Sequence, residues 1–445
     1  MTEHCSKNTS DNEIRSITPD GISGMIFTME GIKNSVILLN GPMGCKFYHS
    51  TTSQFLMPRP ALYLPVEEGE EPVEVRFDYL NEWFFRQPRV PCTWLDGHDY
   101  VYGTLDKVTD GLRYIKEHVP CDLITVVNAP GASLIGDDPR EICREIFPDI
   151  PAIVLESPGF STEYYDGCDT AILELFRQAG ERLWGEVSKD SADSGREGLE
   201  GGHTGGEAHK PKVNILGISI WQKYALGDME EIRRILSMCG IEVNTILCAG
   251  CSLEEMKKIP EADLNIVLYP EMGLSGAKWL QQNLGMPYYV CEVPPIGFDA
   301  TMTFAEEVSQ ILKTDCSKVK EEIEVARATA WYSISGIYNA SGKPDGTIFT
   351  VKSFPSQEKG ISQFLSNYLG MIEDKSDISQ TKAEIVFSDA NIISELMLRN
   401  KEFCGIEIAN PTMGYVDVIP KTLLGINGGL FLTEQVLNSF MTRII

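Results

Sequence analysis

The sequence predicts an α/β protein made of three doubly wound, Rossmann-like parallel-sheet domains, and three observations lead there. Short apolar runs of strand length alternate with stretches whose apolar positions recur at helical period, the pattern of βαβ units. Two motifs, Gly-Pro-Met-Gly-Cys at 41–45 and Leu-Ile-Gly-Asp-Asp at 134–138, each come after such an apolar run. Carboxyl ends of strands are where open α/β sheets place their sites. Finally, 445 residues exceed one ordinary domain and suggest two or three.

Taken in order, residues 35–39 (Ser-Val-Ile-Leu-Leu) read as a buried strand that delivers Cys45 onto a tight turn. Residues 123–127 (Leu-Ile-Thr-Val-Val) read as a second strand, followed by a helix beginning near Pro139. Asp137 and Asp138 stand just before that proline. Adjacent aspartates there read as helix N-caps in preference to a catalytic carboxylate pair or a magnesium site. Acidic residues 67–71 look like a surface insertion. Residues 188–212, around Gly-Leu-Glu-Gly-Gly-His-Thr-Gly-Gly, lose almost all apolar character and read as a linker or expanded loop. Nothing around His203 or His209 fixes a metal geometry.

Beyond that break the alternation resumes: strand 213–220, helix 228–238, strand 241–247, helix 253–258, strand 264–268, helix 275–284 and strand 288–290. A long connecting helix is expected over 321–338, then a strand at 346–352 and a helix over 360–369 ending at Gly370. The expected division is therefore a first α/β domain over 1–187, a linker over 188–212, a second domain over 213–320, and a connecting helix with a third domain over 321–445.

Composition narrows the function. A net charge of -26 and a pI near 4.7 argue against nucleic acid and anionic membrane surfaces as partners. Residues 1–16 are polar, and no unbroken apolar run reaches about 18 residues, so a soluble cytoplasmic protein is expected. The twelve cysteines lack the spacing of a small secreted scaffold and read as free thiols, mostly buried, or metal ligands. No Gly-x-x-x-x-Gly-Lys-Ser/Thr loop occurs, so the chain is not expected to hydrolyse ATP.

Among the thiols, Cys45 is the leading candidate ligand. Gly41 and Gly44 beside it suit either a tight turn or close approach to a cofactor. Cys92, in Val-Pro-Cys-Thr, can approach the same strand ends. Cys248 and Cys251 form a Cys-x-x-Cys between a strand and a helix, where a helix N-terminus can lower a thiol pKa; no second such pair exists to complete a zinc site. His49 can tune a centre at Cys45 or donate a proton, although a surface or capping role is the more ordinary one.

The order of Gly-Pro-Met-Gly-Cys, Asp-Tyr-Val-Tyr-Gly at 99–103, Leu-Ile-Gly-Asp-Asp, Pro-Glu-Ala-Asp-Leu-Asn-Ile-Val at 260–267 and the closing turn and helix at 425–438 resembles the nitrogenase component 1 family of oxidoreductases. That family includes the nitrogenase α and β chains and their cofactor-assembly scaffold. The resemblance implies an iron-sulfur cluster, [4Fe-4S] in type, to which Cys45 gives a thiolate. The other cluster cysteines of the family fall on Pro19-Asp20, on Pro130 and, for the active cofactor, near Tyr269, none of which is a thiol. A cysteine-poor, β-like chain is implied, sharing its cluster with an α-like subunit or a second copy of itself. An ATP-dependent iron-sulfur reductase would pass electrons through that cluster to a small-molecule substrate, with Tyr102 near the docking face. A non-catalytic scaffold for cofactor assembly and a metal-free ligand-binding protein are the alternatives.

Overall fold

The computed structural model describes residues 19–42, 45, 90–157, 162–185, 210–399, 402–412 and 419–441. The readings placed on Gly44, His49, 67–71, His203 and His209 lie outside these residues, as does the linker up to residue 209.

Helix α1 (Gly21–Glu30) starts at an Asp20 N-cap and is buried along its whole length. It leads into β1 (Ser35–Asn40), after which come α2 (Asp99–Tyr102), α3 (Leu105–His118), β2 (Leu123–Asn128), α4 (Pro130–Ile135), α5 (Arg140–Ile146), β3 (Ala152–Glu156) and α6 (Tyr164–Trp184). The three strands form a parallel sheet in the order β1-β2-β3. All six residues of β2 are buried, as a central strand covered on both faces requires. Sequence reading passed over α1 and α6, which pack directly on one another. A Cβ on Gly24 would lie 1.9 Å from the Tyr164 carbonyl oxygen, and one on Gly167 1.9 Å from that of Gly21. Only glycine lets the two backbones approach so closely.

The second sheet comprises β4 (Lys212–Leu216), β5 (Glu242–Ile246), β6 (Leu264–Val267) and β7 (Tyr288–Val290), all parallel in the order β5-β4-β6-β7. Its helices are α7 (Ala225–Met238), α8 (Leu253–Lys257) and α9 (Pro270–Leu284). Strand β4 takes in Lys212 and stops at Leu216 instead of running to residue 220, because Gly217 turns the chain at φ +89°. Helix α9 begins five residues before its expected start, with Pro270 in its first turn where a missing N–H costs nothing.

Helices α10 (Gly297–Leu312) and α11 (Ser317–Ser341) connect to the third sheet: β8 (Ile348–Val351), α12 (Pro355–Leu369), β9 (Ile372–Glu373), β10 (Ile385–Ser388), α13 (Ala390–Leu398) and β11 (Cys404–Glu407). Its order is β11-β10-β8-β9, again parallel. Helix α12 ends where expected, with Gly370 at φ +68° as its left-handed cap. Helix α14 (Gly425–Met441) closes the described chain against α10, α11 and α7. The second and third sheets share one apolar core, and Phe27 of α1 reaches into it to stack on Trp221 at 4.3 Å. No helix among the described residues is long and apolar enough to cross a membrane.

Candidate functional site

Two regions collect chemistry-bearing side chains: the rim of the first sheet and a cavity bordered by loops from all three.

At the rim, β1 and β2 each finish a buried apolar run with an asparagine. Asn40 and Asn128 are both 1% exposed. Asn40 Nδ2 donates to Asn128 Oδ1 (2.9 Å) and Thr104 Oγ1 (3.1 Å), and its Oδ1 accepts from Thr93 Oγ1 (3.0 Å). Asn128 Nδ2 donates to Glu156 Oε1 at the end of β3 (2.8 Å), and Ser133 Oγ donates to Glu156 Oε2 (2.7 Å). These polar ends fix the loops that leave the sheet. Gly41 follows at once, where a Cβ would lie 2.6 Å from that of Ala129. Cys45 then stands half-buried, its N–H donating to the Pro42 carbonyl (3.2 Å).

Residues 90–95 run alongside β1 as an added parallel edge. Leu39 N–H donates to Pro91 O (2.9 Å) and Thr93 N–H to Leu39 O (3.0 Å), while the Cys92 thiol reaches the Gly41 carbonyl at 3.7 Å. Cys92 therefore arrives at the turn that carries Cys45. The Cys45 thiol pKa is raised, first by burial and then by the negative fields of Asp20 and Cys92. The Asp20 carboxylate thus faces the same place, although one of its oxygens serves Ser23 as the α1 cap. Among the described residues no group of three or more His, Cys, Asp or Glu side chains is arranged to hold a metal ion by itself. The donor set fits the edge of a cluster that needs further thiolates from elsewhere.

Around this edge lie exposed apolar side chains. Tyr102 is 76% exposed, with its ring 4.4 Å from that of His98; Val101 beside it and Leu134 on the neighbouring α4 are also exposed. Tyr100 covers Gly131, where a Cβ would meet its ring at 2.7 Å, and its hydroxyl pKa is raised by burial and by Cys45. Pro130 is buried in the first turn of α4.

Asp137 corrects one expectation. It does not cap the helix after Pro139; its Oδ2 accepts from Thr104 N (2.5 Å) and Oγ1 (3.1 Å) at the start of α3. Asp138 alone stays local, accepting from Arg140 N (3.0 Å) and pairing with the Arg140 guanidinium. The Cys248–Cys251 loop is also structural in its setting. Both side chains are buried, Cys248 N–H donates to Cys251 Sγ (3.2 Å), and Lys33 N–H donates to Cys251 O (2.8 Å) just before β1. Burial raises both thiol pKa values, that of Cys251 to about 11, so desolvation outweighs the short α8 that follows. Tied to Ile32, this loop meets the start of β1, whereas Cys45 follows its end.

The cavity, about 260 Å³, lies beyond the carboxyl ends of strands from the second and third sheets and against the start of α6. Tyr164, Trp221, Gln222, Lys352, Phe354 and Asp389 line it, and Pro19 forms part of its wall, so the Cys45 edge and the cavity adjoin at Pro19-Asp20. Burial raises the pKa values of Asp389 and Glu358. Sequence reading passed over Asn40, Asn128, Gln222, Lys352 and Asp389. For all but Gln222, which lies six residues past β4, the available signal was a polar residue ending or directly following a strand. Tyr269 is wholly buried, edge-on to Phe354 at 4.9 Å, with its backbone pressed against Gly217.

Comparison with known proteins agrees with this architecture. In Prochlorococcus marinus (strain NATL1A), the B subunit of light-independent protochlorophyllide reductase is 29% identical over 273 residues, 61% of this chain and 49% of the relative. Its counterpart in Synechococcus sp. (strain CC9605) is 30% identical over 250 residues, 56% of this chain and 45% of that one. The chain thus spans about half the length of the curated relatives it matches. A solved structure described as nitrogenase Cp1 at pH 6.5 superposes with a TM-score of 0.66 at 14% identity, covering 96% of this chain and 93% of the other, which shows a shared fold. The family model of the nitrogenase component 1 type oxidoreductases matches residues 22–372, and the chain belongs to that family.

Proposed function

We propose that this chain is the cysteine-poor, β-like subunit of a nitrogenase-like oxidoreductase, holding one edge of an iron-sulfur cluster completed by an α-like partner. The observation that carries this reading is the incomplete donor set at the sheet rim: Cys45, with Cys92 and Asp20 facing it, beside an exposed aromatic and aliphatic surface. Cys45 would give the thiolate and Gly41 the close backbone approach. A bound cluster of this type supplies one-electron transfer. Tyr102 lies where an electron-donating, ATP-dependent reductase or the partner chain would pack, and the cavity beyond the strand ends is the substrate site. The named relatives make a protochlorophyllide-like reduction the first activity to assay.

Tyr269 favours a second reading, a scaffold on which a cofactor is assembled. Its fully buried ring stands near the position where the resemblance places the cofactor thiol of nitrogenase α chains, and it offers no thiol.

The test is anaerobic co-purification with an α-like partner, followed by iron and sulfide analysis and electron paramagnetic resonance before and after reduction. Cluster signal in the parent complex and its loss in Cys45→Ala is the expected result. Equal iron in both would sink the role given to Cys45, and an iron-free parent complex after reconstitution would sink the cluster itself.

A further inference from the structure

The Cys-x-x-Cys loop between β5 and α8 takes no part in the cluster edge, yet its backbone is built around one sulfur. Cys248 at φ +53° and Gly250 at φ +93° both lie in the left-handed region, which turns successive N–H groups inward. The Cys248 N–H donates to Cys251 Sγ at 3.2 Å, and the Ala249 and Cys251 N–H groups also act on that sulfur. A left-handed backbone disfavours any residue with a Cβ, so the cysteine at 248 is held there against its own preference. Because the N and Cβ of Cys248 share one Cα, a sulfur 3.2 Å from that nitrogen is within side-chain reach of the Cys248 thiol. The loop also clasps the first sheet to the second. Gly250 N–H donates to Gly31 O (2.7 Å), Lys33 N–H donates to Cys251 O (2.8 Å), and a Cβ on Gly31 would lie 1.7 Å from Cys248 O. Whatever stiffens this loop therefore stiffens the turn between α1 and β1.

We propose that Cys251 and Cys248 close into a reversible disulfide when a small hydroperoxide reaches the loop, locking the α1–β1 turn to the second sheet. The Cys251 thiolate attacks the peroxide O–O bond and becomes a sulfenic acid, and the displaced oxygen takes up the thiol proton and leaves as water. The Cys248 sulfur then attacks the Cys251 sulfur, and the sulfenic hydroxyl leaves with the Cys248 proton as a second water. Two thiols lose two electrons and two protons, and one hydrogen peroxide becomes two waters. Cys251 is the attacking thiol because backbone donors converge on its sulfur, whereas burial and the neighbouring thiols of Cys251 and Cys168 act only against a Cys248 thiolate. Burial and the Glu255 carboxylate still hold the Cys251 pKa at about 11, so the thiolate is scarce and the reaction slow. At 1% and 4% exposure the pair is closed to a disulfide the size of oxidised glutathione, so the oxidant is a small one.

The test exposes the native full chain, without cluster or partner, to excess hydrogen peroxide at mildly alkaline pH. After a catalase quench the protein is alkylated in denaturant, and the tryptic peptide 235–257 is sequenced by mass spectrometry. A link between Cys248 and Cys251, with Cys239 of the same peptide alkylated, is expected, and dithiothreitol should reverse it. In Cys248→Ser a Cys251 sulfenic acid should accumulate and be captured by dimedone. The Gly250 and Lys33 amides should exchange hydrogen about threefold or more slowly in the linked form. The inference is overturned if both thiols remain alkylatable once the half-buried Cys45 has been oxidised, or if exchange at the two amides is the same in the linked and reduced forms. If Cys248→Ser melts well below the parent, the linked peptide of the parent decides alone. Iron in the partnered complex is measured separately, so a missing link with normal iron overturns this inference and leaves the cluster reading standing.

Discussion

Asn40 Nδ2 donates to Asn128 Oδ1 at 2.9 Å, joining the last residues of β1 and β2 at a point where both are excluded from water. Two short amides thereby hold the loops to Cys45 and to Pro130 in one register. Thr93, Thr104 and Glu156 complete the network, so the turn carrying Cys45 is braced from the sheet beneath it. Buried polar networks of this kind rigidify a site when every member is satisfied.

Asn40→Ala would orphan the Asn128 carbonyl and remove the Thr93 acceptor, each costing about 1–3 kcal/mol. The isolated protein should melt about 2–6 °C below the parent. Alkylation of Cys45, followed by mass spectrometry on the native protein, should accelerate. Unchanged melting and unchanged labelling would show that the amide pair does not brace the turn.

The parallel sheets and most strands were legible because buried parallel strands write themselves as short apolar runs, as at Leu123–Asn128, whereas the strand order within each sheet was not. Helix α1 was not, since its burial on all sides erases the polar face that marks a surface helix. Cys92 was read as able to approach the same strand ends as Cys45, and its backbone bridges Leu39 of β1. The cap at Asp137 was misread because its partner Thr104 lies 33 residues away, beyond any local pattern. The residues lining the cavity were equally hidden, since its walls come from loops of sheets far apart in the sequence.

Asp228 gives folding stability its own pH signature. Fully enclosed, it accepts from Thr422 Oγ1 (2.7 Å), Leu423 N (2.8 Å) and Leu424 N (3.2 Å), tying α7 to the entry of α14. Burial pushes its pKa up to about 6 against those hydrogen bonds. Between about pH 4 and 6 the folded state therefore holds more protons than the unfolded one, and this group's contribution to stability falls as pH rises through that window. Asp228→Asn cannot ionise, so its advantage over the parent should grow from near zero at pH 4 to on the order of 1–3 kcal/mol above pH 6.5. Melting profiles that stay parallel from pH 4 to 7.5 would contradict this.

Tyr269→Cys puts a thiol near where the resemblance places the cofactor cysteine of nitrogenase α chains, yet the site around it is filled. The ring is 0% exposed and edge-on to Phe354, and Gly217 lies against its backbone. Truncating it should cost about 3 kcal/mol by opening a cavity. Iron content of the partnered complex should stay at the parent level. An added equivalent of cofactor iron would instead mean that the pocket relaxes to receive one, and would revive an assembly role for this part of the molecule.

Tyr102 separates surface function from stability. At 76% exposure, with His98 against its ring, it supports little of the fold, so Tyr102→Ala should leave the melting temperature of the isolated protein unchanged. Aromatic anchors at interface centres commonly contribute more than 1 kcal/mol, so association with the α-like partner or the reductase should weaken about fivefold or more. Sedimentation of the variant with each protein in turn assigns the loss to one contact. If neither affinity moves while Leu134→Ala weakens one, the docking face lies toward α4; if both variants associate as the parent does, the exposed apolar surface beside Cys45 is not where either protein binds.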